Sequence, residues 1–219
     1  MLKLFWNADS PYCRIVLWHI ATSQQYTEVE LEHLSWEDIR ATATGGRLGR
    51  NATVPCLQLG DGTIITDSLR ILAYFLNDGF DSWFLSEDGE FYRHIEGQLS
   101  RVMYGLYDRP TPEALKKVEA RWNLVLKSAD GHMSTKAASR PAVPELPALA
   151  LQTLHIFVQF CLHFQPDWSC SLPASLERAL HELEREKDFK WYKEQLSQQN
   201  TTVSFERDAS PREAQGFSN

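Results

Sequence analysis

Ser10, Pro11, Tyr12 and Cys13 stand directly after the apolar run Leu2-Lys3-Leu4-Phe5-Trp6 and directly before Arg14-Ile15-Val16-Leu17-Trp18-His19-Ile20. They form a Cys-Pro-Tyr-Cys turn whose first sulfur has become an oxygen. Serine at an N-cap with proline at the first helical position is a favoured helix start, since proline there sacrifices no hydrogen-bonded N–H. It leaves unpaired backbone N–H groups and the positive end of the helix dipole beside the serine hydroxyl. A thiol brought to such a place ionises below its ordinary pKa of about 8.5. The chemistry implied is activation of a sulfur that the protein does not itself supply. The plain alternative is an ordinary helix start.

Two further places could bind a ligand. Val54-Pro55 opens the run at 54–59, and Gly60-Asp61-Gly62 leads into Thr63-Ile64-Ile65-Thr66, which predicts a hairpin closed by an Asp-Gly turn. Proline is tolerated at the first residue of that strand because no central ladder bond is lost. Asp67-Ser68 then precede Leu69, Ile71, Leu72, Phe75 and Leu76, which recur at helical spacing. A second helix N-terminus thus carries a carboxylate and a hydroxyl. Its N–H groups and Ser68 can donate to an anionic group of a ligand, whereas Asp67 suits a cation. Alternatively, Asp67 is the N-cap and Ser68 merely its neighbour.

In this order and spacing, the three motifs resemble those of the soluble glutathione transferases. The resemblance implies an α/β thioredoxin-like N-terminal domain followed by an all-α helical-bundle C-terminal domain, with glutathione along one sheet edge. It implies a cis bond before Pro55, pairing of the Val54 backbone with the cysteinyl unit, and Asp67 and Ser68 at the γ-glutamyl end. Ser10 becomes the catalytic hydroxyl beside the thiolate. The lysine that family members often carry near this loop is missing before Val54, and Arg50 or Arg47 could reach the glycyl carboxylate instead. Both arginines also read as solvated loop charges.

The activity so implied is conjugation of glutathione, as cosubstrate, to an apolar electrophile. Tyr12, Met103, Tyr104 and Tyr107 are candidates for the cosubstrate pocket, with core packing as the alternative. The family resemblance also implies a homodimer. Two other readings stay open. One is a non-catalytic relative that binds glutathione or a protein partner. The other is a glutathione-dependent thiol oxidoreductase or isomerase, disfavoured because loss of the first cysteine removes the attacking thiolate and the Ser-Ser-Cys turn of the isomerases is absent.

The elements that must position these residues divide the chain in two. Strand and helix signals alternate over 1–78, with strands expected at 2–6 and 27–31, a helix at 11–22 and a polar excursion at 32–53. The stretch 77–82 breaks the pattern, and the signals at 85–197 are helical. A helix is expected at 91–107, a second at 113–127 after Arg109-Pro110-Thr111-Pro112, a buried one at 149–164 and one or two amphipathic helices at 176–196. The segment 134–147 reads as an exposed loop, and 198–219, polar and patternless, as disordered. The buried helix lacks the family's N-terminal capping box, since Glu145-Leu146-Pro147-Ala148 supplies neither its Ser/Thr nor its Asp.

Composition restricts the partners. The chain has 219 residues, a net charge of -7 and 43% hydrophobic residues, enough for packed cores and opposed to a duplex nucleic-acid partner. Cys13, Cys56, Cys161 and Cys170 are too scattered for a disulfide framework and read as reduced thiols, with Cys13 a small buried residue. Neither they nor the seven histidines make a metal motif. No stretch is long enough to span a bilayer, the N-terminus begins a strand at once, and the expected location is cytoplasmic.

Overall fold

The computed structural model describes residues 1–23, 25–43, 53–77, 79–107, 110–139, 147–165, 167–168, 172–185 and 187–199. The first part runs β1 (Leu2–Trp6), α1 (Pro11–Thr22), a 3-10 turn (Gln25–Thr27), β2 (Val29–His33), α2 (Trp36–Ala43), β3 (Cys56–Gln58), β4 (Ile64–Thr66) and α3 (Ser68–Leu76). The four strands form one mixed sheet in the order β2-β1-β3-β4. β1 pairs parallel to β2 and antiparallel to β3, and β3 pairs antiparallel to β4. The hairpin turn falls at the predicted Asp-Gly, where Gly62 takes a φ of 88° that a side chain would resist.

Helices follow: α4 (Gly79–Phe84), α5 (Glu87–Tyr107), α6 (Pro112–Ser139), α7 (Pro147–Phe164), α8 (Ala174–Leu183) and α9 (Lys187–Gln199). A mixed sheet with flanking helices, followed by an all-helical region, is the thioredoxin-like and helical-bundle architecture expected. α1 is the hinge of the packing, since it contacts α3 on one side and α7 and α9 on the other. Ile15, Val16, Leu17, Trp18 and Ile20 are wholly buried, each contributing about 1.5–3 kcal/mol through burial. This near-complete burial fits an almost unbroken apolar sequence, and it holds the N-terminus of α1 rigidly at the sheet.

Three boundaries differ from the pattern-based expectation. The break at 77–82 contains α4, whose Trp83 is buried against Tyr92. The helix expected at 113–127 continues to Ser139, so the first part of the expected loop is helical. Helix formers such as Ala129 sustain it, and one glycine, Gly131, costs only about 1 kcal/mol. The polar excursion at 32–53 completes β2 and then forms α2, started by Ser35 and Asp38. The Ser35 Oγ accepts from the Asp38 N–H at 3.0 Å while the Asp38 carboxylate accepts from the Ser35 N–H at 3.0 Å. α7 begins at Pro147, and Glu145 and Leu146 of the questioned cap lie outside the described residues, as does the tail from 200 onward.

Candidate functional site

Register brings the three motifs together. Phe5 lies opposite Cys56 and Cys56 opposite Thr66, so the end of β1, the start of β3 and the end of β4 share one end of the sheet. Ser10, Val54-Pro55 and Asp67-Ser68 extend from those three strand ends. Residues up to 58 positions apart in sequence therefore border one region.

Ser10 caps α1 from an extended conformation (φ -83°, ψ 115°), its Oγ accepting from the Cys13 N–H at 3.4 Å. The side chain is 6% exposed. Its own proton stays available to donate, either inward to the Cys13 sulfur or outward to a ligand. Cys13 is wholly buried, and burial pushes its thiol up to about 12, opposed in part by Ser10 and by the Asn7 N–H at 3.4 Å. That is the small, inert thiol anticipated for this position. Cys56 is held up likewise, to about 11 by burial, and Cys161 to about 12. Burial thus favours the neutral thiol at both Cys13 and Cys56.

Val54 is half-buried and joined to Pro55 by a cis peptide bond, as the resemblance implies. Asp67 is the N-cap of α3, its Oδ1 accepting from the N–H groups of Leu69 at 2.9 Å and Arg70 at 3.2 Å. The capping alternative for Asp67 is thus what the structure contains. Its φ of 79° lies in a region that costs a non-glycine residue on the order of 1–3 kcal/mol. Such a conformation persists where the surroundings demand it, and here it turns the carboxylate back onto the helix end. Ser68 is the first residue of α3 and half-buried, placed where the helix N–H groups emerge.

Comparison with known proteins agrees with this geometry. Residues 9–77 match the family model described as glutathione S-transferase, N-terminal domain. A glutathione transferase family member from Pseudomonas fluorescens Pf-5 with bound glutathione is 21% identical, with a TM-score of 0.61 over 88% of this chain and 98% of its own. A glutathione S-transferase from Methylobacillus flagellatus KT, also with glutathione bound, is 20% identical, with a TM-score of 0.62 over 88% and 98%. The chain has the glutathione transferase fold. The nitrogen regulation fragment of the yeast prion protein Ure2p shares it at 13% identity, with a TM-score of 0.64 over 87% of this chain and 95% of that one. No curated protein matches the sequence.

Within this glutathione transferase fold, the cosubstrate candidates fall on α1 and α5. Tyr12 is half-buried, its ring edge-on to Phe157 of α7 at 5.8 Å. Its phenol interacts with Glu96 and Ser100 of α5, and burial, then Glu96, raise its pKa. Tyr104 faces the same phenol and is 57% exposed. Met103, in contrast, is buried in the core, as the packing alternative has it. Arg47 and Arg50 lie outside the described residues, and so does the side chain of Tyr107.

Glu96 and Ser100 escaped sequence reasoning. Glu96 is half-buried, and burial raises its carboxyl pKa, opposed by its bond to Tyr12 and reinforced by the charge of Asp67. The available signal was helical: Tyr92, Glu96 and Ser100 recur every four residues on α5 and so share one face. Only the tertiary structure reveals that this face meets Tyr12 of α1. Among the described residues, no three His, Cys, Asp or Glu side chains gather to hold a metal, and no helix is long and apolar enough to cross a membrane.

Proposed function

We propose that the protein is a glutathione transferase that binds glutathione at the shared end of β1, β3 and β4 and adds its thiolate to an electrophilic carbon of an apolar substrate. The observation that carries the reading is the convergence of Ser10, Val54-Pro55 and Asp67-Ser68 on one end of the sheet. The γ-glutamyl carboxylate would meet the α3 N–H groups and the Ser68 hydroxyl, the cysteinyl amide the Val54 backbone, and the ammonium the carboxylate of Asp67. With its Oγ accepting from Cys13, the Ser10 hydroxyl donates its proton to the incoming sulfur, which favours the thiolate. The thiol proton leaves to solvent, and the sulfur lone pair forms the bond to carbon. In this reading residues 1–78 are the glutathione-binding domain, residues 85–197 the helical domain, and the protein works as a cytoplasmic homodimer.

The second reading, a binding protein without turnover, draws on two observations. The Ser10 side chain is largely covered, at 6% exposure, and the fold is shared with a nitrogen regulation fragment. Calorimetric titration with glutathione followed by conjugation assays on a panel of electrophiles separates the two. Binding with turnover is the expected result. Binding without turnover assigns the protein to the second reading, and the absence of binding overturns both.

A further inference from the structure

Asn7 sits in the turn that carries Ser10, directly after β1, and is 2% exposed. Both ends of its side chain and both of its backbone groups are hydrogen-bonded. The β1–β2 ladder runs on for one bond past the strands, the Leu34 N–H donating to the Trp6 carbonyl at 2.8 Å. A continuing β1 would next bond the Leu34 carbonyl from a backbone N–H. Asn7 supplies that donor from its side chain instead: Nδ2 donates to the Leu34 carbonyl at 2.8 Å, while Oδ1 accepts from the Asp9 N–H at 2.8 Å. A side-chain oxygen bonded two residues ahead in this way makes an Asx-turn, which bends the chain off the sheet toward α1.

The backbone of Asn7 reaches the same helix start. Its carbonyl accepts from the Ser10 N–H at 3.2 Å, which closes the turn over 7–10, and its N–H donates to the Cys13 sulfur at 3.4 Å. Arg14 of α1 pins the middle of the turn by donating from Nε to the Ala8 carbonyl. Ser10 is thus held from two sides, by Asn7 at its N–H and by the Cys13 N–H at its Oγ. The Cys13 sulfur, wholly buried in the first turn of α1, is the protein's own acceptor for the Ser10 hydroxyl. A thiol sulfur accepts only weakly, and the Asn7 N–H already satisfies it. The hydroxyl gains more from a thiolate arriving on its outer side, since a hydrogen bond to an ionised acceptor is about twice as strong as one to a neutral group.

We propose that Asn7 is a positioning residue of the glutathione site: it fixes the 7–10 turn and occupies the Cys13 sulfur, so that the Ser10 hydroxyl directs its proton to the glutathione sulfur. This rests on the glutathione transferase reading above. In this role Asn7 touches neither glutathione nor the electrophile and acts only through Ser10. Other side chains do not replace it. Aspartate would set a second oxygen against the Leu34 carbonyl, and leucine would leave both that carbonyl and the Asp9 N–H unmet. Serine keeps an acceptor for the Asp9 N–H but is too short to bond Leu34 as well.

The test is the pKa of glutathione bound to the full chain, read by thiolate absorbance in wild type, Ser10→Ala, Asn7→Ala and the double variant. Asn7→Ala should raise that pKa, so that at lower pH the ionised fraction falls by about threefold to tenfold. In the Ser10→Ala background the same substitution should change nothing, because the group it directs is gone. In conjugation assays, kcat/KM of Asn7→Ala should drop at low pH and rejoin wild type above the shifted pKa, whereas a merely structural loss lowers it at every pH. Asn7→Ser, which keeps the Asp9 bond, should fall between wild type and Asn7→Ala. Thermal melting identifies a folding defect in Asn7→Ala, and Asn7→Ser then decides by a thiol pKa above that of wild type. A loss of rate that is the same at every pH, or an equal rise in thiol pKa with and without Ser10, overturns the proposal. A wild type that binds glutathione, with Ser10→Ala raising the thiol pKa and the Asn7 variants leaving it unmoved, refutes this inference alone, whereas one that binds no glutathione refutes the parent reading as well.

Discussion

Acidification should loosen the packing around α1 through two buried histidines. His19 on α1 and His155 on α7 are 9% and 4% exposed, and burial lowers each to a pKa of about 4. His19 Nε2 and His155 Nδ1 find no hydrogen-bond partner. His155 Nε2 faces Glu184 at 3.5 Å, while Trp18 and Phe189 meet its ring edge-on at 5.4 and 5.6 Å. Both imidazoles are neutral in the folded protein near neutrality, whereas in the unfolded chain they titrate at about 6.5. Between those values the unfolded state binds more protons, so stability is complete above pH 6.5 and falls as the pH drops toward 4. Each histidine should remove about 2 kcal/mol by pH 5 and about 3 kcal/mol by pH 4.

Partly buried His33, also lowered by desolvation, adds a loss of the same sign. Glu96 works against it, since a raised carboxyl pKa favours the folded state as pH falls, and Asp38 and Asp61, lowered by hydrogen bonds, act only below the window. Urea denaturation of the wild type, His19→Leu and His155→Leu between pH 7.5 and pH 5 measures the slope directly. Each substitution should remove about 2 kcal/mol of the pH-dependent loss, whatever it does to stability at pH 7.5. A wild type equally stable at both pH values, or variants with undiminished slopes, would refute the assignment of these histidines as neutral buried groups.

Ser68→Ala should weaken glutathione binding by about 1–3 kcal/mol, the cost of leaving a charged partner unmet, as read by calorimetry. Ser10→Ala should leave affinity nearly unchanged but raise the pKa of the bound thiol, followed by thiolate absorbance; equal affinity losses would make Ser10 a binding residue instead. Ser10→Cys places a thiol at the α1 N-terminus, where its pKa should fall below about 8.5, and it should gain glutathione-dependent reduction of mixed disulfides while losing conjugation activity. A new thiol that titrates normally and forms no mixed disulfide would show that position 10 does not face the ligand. Gly89→Ala would drive a methyl group into the carbonyl oxygens of Trp83 and Phe84, so the junction of α4 and α5 must shift. A loss of about 1–3 kcal/mol is expected in denaturant melts, and a neutral result would contradict the close approach.

Local chemistry was enough to place much of this protein. The helix at 11–22 was legible from Ser10 and Pro11, because a cap hydroxyl and a preset φ act within a single turn. The hairpin and the start of α3 followed in the same way from Asp61-Gly62 and Asp67. Even the joint order of the motifs is a property of the linear chain. Where the reading stopped short, the missing information was non-local. Trp83 makes a helix of the expected break at 77–82 by burying itself against Tyr92. Met103 and Tyr104, adjacent in sequence, point to core and solvent because of where α5 packs. Glu96 is an unremarked helix glutamate until α1 brings Tyr12 against it. Spacing along a helix shows which residues share a face, but what that face meets depends on apolar burial summed over distant segments. The ionisation of Glu96, His19 and His155 depends in turn on how much water that burial leaves them.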